Sequence, residues 1–377
     1  MKILINTISL LSPFTGAANY TYQIARNLTE TDLVNEYLYF YRYYSKKLKH
    51  FNKRSNFFYS LTELARNIPF LRTELRKLKR IGATLKEHDF DLYFEPNFIP
   101  LDIKAKKTVV TVFDFSFKVH PEWHPKDRVL YFENNFWNNI DRADRIIVIS
   151  NFVKESAINL FGFKSEKLKT IYLGYDTNVF RSYPKDELVV TRKKYSLPEN
   201  FILFAGSIEP RKNLNNLIQA YAALDDSVKK EFKLVLAGFK GWKNKEVQGS
   251  LRRFKNNIIL LGYLPEKELG KLYNLAALFV YPSFYEGFGL PPLEAMACGC
   301  PVVVSNTSSM PEVCSNAAYY VDPYDSENIA AGLKKVLMNE ELKRSLRQSG
   351  LERAAMFSWR KSAEEHLLLF QELEKMI

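Results

Sequence analysis

Two glutamates eight positions apart, Glu286 and Glu294, bracket a short segment with the right residue types to hold a phosphorylated, hydroxyl-rich ligand. The apolar run Leu278 to Tyr281 that leads into it reads as a buried strand. The glycine loop Glu286-Gly287-Phe288-Gly289-Leu290 follows, and then Pro291 and Pro292. A proline suits the first turn of a helix, because its missing N–H has no partner there in any case. Leu293 to Cys298 completes a short helix, Gly299 stands where a left-handed cap belongs, and Pro301 blocks continuation before the strand Val302 to Val304. Glu286 therefore lies on a loop at the C-terminal edge of a strand, and Glu294 lies in the first turns of a helix. That crevice is where parallel sheets bind ligands. The backbone N–H groups of Gly287, Phe288, Gly289 and Leu290 point out of the helix start and favour an anion. Two carboxylates do not bind an anion, but they do accept hydrogen bonds from hydroxyl groups. A ligand carrying both phosphate and sugar fits the pair. Taken alone, a helix-start Glu beside an exposed loop Glu explains the segment equally well.

A second strand, turn and helix lies upstream. Phe201 to Ala205 is an apolar run that ends in Gly206-Ser207-Ile208-Glu209-Pro210-Arg211-Lys212-Asn213, with a helical pattern from Leu214. Arg211 and Lys212 form a natural diphosphate clamp at the end of that strand. Basic residues after a strand are usually only solvated, so the specificity comes from the two turns together. Gly262-Tyr263 follows a further strand and can offer backbone contacts to a base.

These two motifs, in this order on alternating strands and helices, resemble the family 4 retaining glycosyltransferases of GT-B fold. The resemblance covers nearly the whole chain and is strongest in its second half. It implies an α/β protein of two Rossmann-like parallel-sheet domains facing across a cleft. It also implies that Glu294 holds ribose hydroxyls and that Glu286 contacts the hydroxyls of the transferred sugar. Gly206, Arg211, Lys212 and the loop amides would hold the diphosphate. In the family, a loop matching the one before Gly16 brings a backbone N–H to the donor phosphate. Relatives often carry His-Asp where this chain has Phe113-Asp114; Asp114 remains as a catalytic candidate, and His120 and His124 lie close enough in sequence to substitute as acceptor or sugar contacts. The donor taken first is GDP-mannose, with UDP- or dTDP-sugars as alternatives, because G-S-I-E-P-R-K-N and H-P-E-W-H-P resemble the bacterial mannosyltransferase type. The expected work is retaining, metal-independent hexosyl transfer to a glycan or polyprenyl-diphosphate-linked acceptor in cell-surface polysaccharide synthesis. A sugar-nucleotide epimerase of the same fold, and a non-catalytic protein binding nucleic acid or membrane, are the alternatives.

Composition sets the remaining bounds. The 377 residues are 46% hydrophobic and 25% charged, as in a globular protein of two domains. No run of about 18 uncharged apolar residues exists, so no membrane span is expected. Met1 to Leu11 is interrupted by Asn6, Thr7 and Ser9, so a first strand, Lys2 to Ser9, is expected there rather than a signal peptide. Cys298, Cys300 and Cys314 have no histidine partners, and reduced core thiols in a cytoplasmic protein are expected, with neither cofactor nor metal. Asp89-Phe90-Asp91 could pass for a metal-binding pair, yet it precedes a strand, where Asp is common. Arg211, Lys212 and a helix end can neutralise a leaving diphosphate instead.

Nine of the twelve net positive charges fall in residues 1–175, concentrated between Arg42 and Arg80 among Tyr43, Tyr44, Phe51, Phe57, Phe58 and Tyr59. An anionic membrane surface suits this mixture and no nucleic-acid motif accompanies it, so the reading is a peripheral protein at the inner face of the plasma membrane. Domain boundaries are placed at 1–177, 178–355 and 356–377, the first taken from the resemblance as acceptor-binding and the second as nucleotide-sugar-binding. The last stretch is expected, from the resemblance, to be a helix returning to the first domain. Leu61 to Lys86 carries helical spacing, and the region from Tyr175 to Asn200 is taken as a connecting segment.

Overall fold

Runs such as Ile3-Leu4-Ile5, Ile146-Ile147-Val148 and Val302-Val303-Val304 have no polar alternation, so strands made from them must be covered on both faces. In the computed structural model, which describes residues 1–11, 16–49, 89–238, 249, 251, 253–254 and 257–377, every one of these side chains is buried. The strands assemble into two parallel sheets, one in each of two compact units. The first unit comprises Met1–Ile149, Val153–Leu173 and Trp359–Ile377, and the second Ser150–Phe152 and Gly174–Ser358. The chain thus divides at 173/174 and 358/359 rather than at 177 and 355, and a three-residue piece, 150–152, belongs to the second unit. The expected helix at Leu61–Lys86, residues 50–80 of the basic segment and the turn at 12–15 lie outside the described residues.

Among the described residues, the first unit holds β1 (Lys2–Asn6), β2 (Glu36–Phe40), β3 (Tyr44–Ser45), β4 (Phe90–Glu95), β5 (Ala105–Val112), β6 (Arg145–Val148) and β7 (Leu168–Thr170). Their order across the sheet is β3-β2-β1-β4-β5-β6-β7, all parallel except the short β3. The helix Gly16–Thr31 buries Tyr20, Ile24 and Leu28. Trp359–Glu374 belongs to this unit and is pinned by a buried polar chain. The Tyr20 hydroxyl lies 2.8 Å from Thr111 Oγ1 and 2.7 Å from His366 Nε2, while His366 Nδ1 donates to the Ser362 carbonyl at 2.7 Å. Nδ1 carries the proton, so Nε2 accepts from Tyr20. Burial, opposed by the Ser362 carbonyl, brings the His366 pKa down to about 4.

The second unit holds β8 (Asn200–Ala205), β9 (Phe232–Ala237), β10 (Ile258–Gly262), β11 (Leu278–Tyr281), β12 (Val302–Ser305) and β13 (Tyr319–Val321), in the order β10-β9-β8-β11-β12-β13. The chain builds outward from β8 to β10, then returns to β8's other side with β11. The topological switch point therefore lies between β8 and β11, where a crevice opens at the strands' C-terminal ends. The expected connecting segment contains a helix, Lys185–Lys194. Its sequence shows no apolar face, and only Thr191 is buried. It is held instead by acids in its first turn and bases in its last, which suit the helix dipole. Ion pairs of Glu187 with Lys271 (2.9 Å) and Lys194 with Glu268 (3.2 Å) add to this. The three cysteines are free and buried, and burial raises their thiols, Cys300 and Cys314 to about 12.

Candidate active site

The two turns found in the sequence emerge from β8 and β11, the strands that flank the switch point. After β8 the chain runs through Gly206 into a tight turn at Pro210–Lys212, and Asn213 follows in a left-handed conformation (φ 57°). The Asn213 side-chain amide is buried and donates to the carbonyls of Pro282 (2.9 Å) and Pro323 (2.6 Å). One side chain thereby ties the β8 turn to the loops after β11 and β13. The Phe284 N–H closes the same seam on the Arg211 carbonyl at 2.9 Å.

This seam brings charges 75 positions apart into contact. Arg211 Nη1 lies 2.7 Å from Glu286 Oε2, and Lys212 Nζ lies 2.5 Å from Glu286 Oε1. Arg211 Nη2 also reaches Glu209 Oε1 at 2.8 Å, and Lys212 donates to the Tyr281 hydroxyl. Glu209, Lys212 and Glu286 are buried. Burial by itself would raise the Glu286 carboxyl, but Arg211 and Lys212 outweigh it and hold the pKa down at about 2. Burial and the adjacent Arg211 pull the Lys212 ammonium below its ordinary value, with Glu286 opposing them. The two cations and two carboxylates cancel in charge. Glu209, which the motif contains but to which sequence reasoning gave no role, completes that balance.

The glycine loop is shaped from behind by hydroxyls. Ser309 Oγ is shared between the carbonyls of Glu286 (2.9 Å) and Phe288 (2.8 Å), and Ser150 Oγ donates to the Gly287 carbonyl at 2.7 Å. The Glu286 N–H donates to Ser308 Oγ at 3.1 Å. With its carbonyls drawn inward, the loop leaves the N–H groups of Gly287, Gly289 and Leu290 with no acceptor among the described residues, at the start of the helix Leu290–Ala297. Gly289 has φ 110°, a backbone conformation that favours glycine, and a Cβ there would fall 2.3 Å from Met310 Cε, so the end of that flexible side chain would have to shift. No sequence signal marks Ser308 and Ser309, which reach the loop from more than twenty residues away.

Glu294 lies in that helix and is partly buried, receiving the Tyr273 hydroxyl at a long 3.4 Å. Burial and the nearby Glu266 raise its carboxyl well above the ordinary range. The two glutamates of one motif are thus shifted in opposite directions. Tyr263 follows β10 at one edge of the sheet, its side chain half-exposed.

In the first unit, Gly16 opens the helix Gly16–Thr31, and a Cβ there would meet open space. Asp114 Oδ1 accepts from the Ser116 N–H (2.9 Å) and hydroxyl (2.7 Å), a local turn that leads into the helix Ser116–Val119. His124 Nε2 lies 3.0 Å from the same hydroxyl and is buried, so the structure links Asp114 and His124 through Ser116. His120 stands outside that chain, stacked on Trp123 (3.8 Å between ring centres) and 3.1 Å from Glu122. Asp91 accepts from the Lys2 N–H (2.8 Å) and the Lys106 ammonium (2.7 Å), joining three strands at their N-terminal ends.

Comparison with known proteins bears on the family and the fold. Residues 190–353 match the family described as "Glycosyl transferases group 1", and residues 14–179 match "Glycosyltransferase Family 4". The O-antigen chain mannosyltransferase B of Escherichia coli is 34% identical over 369 residues, covering 95% of this chain and 96% of that enzyme. Sucrose-phosphate synthase from Thermosynechococcus elongatus superimposes with a TM-score of 0.71 at 17% identity, each chain covered completely. HepE from Anabaena, solved with UDP and glucose, gives 0.68 at 18% identity over 99% of this chain and 100% of that one. The chain belongs to the glycosyltransferases, with a family 4 amino-terminal domain, a group 1 carboxy-terminal domain and the GT-B fold.

Proposed function

We propose that this glycosyltransferase moves a mannosyl residue from GDP-mannose to a growing cell-surface glycan with retention of configuration and without a metal ion. The observation that carries this reading is the neutral cluster of Arg211, Lys212, Glu286 and Glu209 beside the unpartnered loop amides. An arriving pyrophosphate competes with Glu286 for both cations and takes the amides at the helix start. Glu286, released but still ionised, then accepts hydrogen bonds from the hydroxyls of the donor sugar. Glu294, in the first turns of the same helix, hydrogen-bonds the vicinal hydroxyls of ribose. As the glycosidic bond breaks, negative charge grows on the pyrophosphate and positive charge on the anomeric carbon. The two cations stabilise the first and the Glu286 carboxylate the second. The acceptor hydroxyl attacks from the face the phosphate leaves, and a phosphate oxygen takes its proton; no covalent glycosyl-enzyme is formed.

The similarity to a mannosyltransferase supports the choice of sugar. The basic, aromatic segment supports a lipid-linked acceptor presented at an anionic membrane surface; within its described part, Lys49 Nζ bonds the Tyr43 hydroxyl at 2.9 Å. No helix among the described residues is long and apolar enough to cross a membrane.

Thermal shift with GDP, UDP and dTDP tests the base, and a ligand at 100 times its Kd adds about 2.7 kcal/mol. Transfer is then followed by NMR of the product's anomeric proton with EDTA present. An α-mannoside from the α-donor is expected. An inverted product, a trapped glycosyl-enzyme, or an isomerised sugar nucleotide with no glycoside would overturn the reading.

A further inference from the structure

The first unit's sheet has a switch point of its own. From β1 the chain moves outward to β2 and β3, then returns to β1's other side with β4, so a crevice opens between β1 and β4 at their C-terminal ends. The last residue of β1 is Asn6 and the last of β4 is Glu95, and both are buried. Asn6 Nδ2 and the Tyr93 hydroxyl each donate to Glu95 Oε2 at 2.6 Å, and the Asn97 N–H donates to Oε1 at 3.1 Å. The Tyr93 oxygen accepts in turn from the Leu101 N–H at 3.2 Å. One carboxyl thereby holds both ends of the loop between Pro96 and Leu101. Burial raises it to about 8 against these three donors, and strongly shifted groups gather at functional sites.

The loop that Glu95 holds is strained. The Ile99 N–H bonds the Asn97 carbonyl at 2.7 Å around Phe98, whose φ is 62°; this is a γ-turn of the positive-φ kind, which bulky residues rarely adopt. Its surroundings over-determine it. The Phe98 N–H donates to the Thr111 carbonyl at 2.9 Å, and the ring packs edge-on against Phe113 and Phe132, 5.5 and 5.2 Å between centres. Strain of this kind persists where a ligand or a reaction uses the geometry it sets. The residue at the start of the turn is Asn97, which is exposed and whose side-chain amide makes no hydrogen bond among the described residues.

We propose that Asn97 is a contact for the acceptor, its amide hydrogen-bonding neighbouring hydroxyls of a neutral sugar ring, and that Glu95 is the residue that positions it. The assignment of that ring to the acceptor rests on the transfer reaction proposed above. An amide offers donors and an acceptor together, as a pair of sugar hydroxyls requires, and carries no charge with which to recognise phosphate. Asp114 lies just beyond the end of the neighbouring β5. Its Oδ1 is taken by Ser116, whereas Oδ2 accepts no hydrogen bond among the described residues and suits a further hydroxyl. The same carboxylate disfavours an anionic ligand at this edge. Glu95 is 2% exposed, too deep to touch a ligand, and acts only through the turn.

Saturation-transfer NMR with neutral hexose oligosaccharides, α-linked mannotriose among them, tests the contact without turnover. Asn97→Ala should raise the oligosaccharide Kd about tenfold, with GDP affinity and Tm as in wild type. Glu95→Gln sets a donor against donors, and Tyr93→Phe, which keeps both the ring and the acid, guards against a chain that fails to fold. Each should raise the oligosaccharide Kd about threefold. Placed in the Asn97→Ala background, neither should raise it further, because there is no amide left to position. Additive losses would show that Glu95 serves only the fold and would overturn the positioning role. Absence of any oligosaccharide binding to wild type, or equal binding to wild type and Asn97→Ala, overturns the contact. Transfer kinetics are measured separately with GDP-mannose and mannotriose. A KM increase in Asn97→Ala confined to mannotriose supports the contact, and an equal increase for GDP-mannose overturns it. A wild type that binds oligosaccharide through Asn97 yet transfers no sugar refutes the proposed activity and leaves the contact standing.

Discussion

Replacing Glu286 by Gln separates the structural work of this residue from its work on the substrate. The Glu286 pKa lies near 2, against an ordinary value of 4.5. A difference of about 2.5 units corresponds to roughly 3 kcal/mol of stability at neutral pH, at about 1.36 kcal/mol per unit. The folded-state value is depressed, so this contribution is complete above the ordinary pKa and is lost as pH falls from about 4.5 toward 2. Glu286→Gln should therefore lower stability at pH 7 by about 3 kcal/mol, or about 6–12 °C in Tm for a unit of this size. By pH 3 the difference should shrink to less than about half of that. The variant leaves Arg211 and Lys212 with only Glu209 between them, and a nucleoside diphosphate replaces the missing negative charge. GDP should consequently raise the variant's Tm at least as much as the wild type's, while kcat falls by about 100-fold or more. The assay is thermal unfolding at pH 7, 5 and 3 with and without GDP, beside transfer kinetics. A stability difference below about 1 kcal/mol at pH 7, or one that does not change down to pH 3, would refute the claim that the ion cluster holds this carboxylate.

Three further outcomes follow from the same geometry. Arg211→Lys keeps the charge but loses the fork that spans Glu209 and Glu286, and calorimetry should show nucleoside diphosphate binding weakened about tenfold or more. Gly289→Ala meets both the positive φ and Met310 Cε, so chemical denaturation should show a loss of about 1–3 kcal/mol that Met310→Ala does not fully rescue. His366 has its pKa depressed from 6.5 to about 4, so protons favour the unfolded chain as pH falls through that window. Wild type should lose about 2 kcal/mol on this account by pH 5, and His366→Gln should flatten that slope in a stability titration.

Much of the fold is local and could be read along the chain. The runs Phe201–Ala205 and Val302–Val304 became strands within one residue of their expected ends. Leu278–Tyr281 matches without change, whereas β1 stops at Asn6 because the Asn6 and Thr7 side chains fold back on the Ile8 N–H and the Phe40 carbonyl. The helix Lys185–Lys194 escaped detection because ion pairs to a neighbour, rather than an apolar face, hold it.

The residue types and spacing of the two turns determine that strands end there in an anion-binding helix start and a cationic corner, because capping, proline placement and strand length depend on near neighbours. Only the tertiary structure decides that β8 and β11 lie side by side, since strand order depends on which crossover packs where. That adjacency sets Glu286 against Arg211 and Lys212 and recruits Glu209, while Ser309, carried by the chain after β12, reaches the loop from behind. The opposite shifts of the Glu286 and Glu294 carboxyls are likewise tertiary. They arise because one carboxyl is buried beside two cations, while the other is desolvated near Glu266, with the Tyr273 phenol only partly opposing the rise.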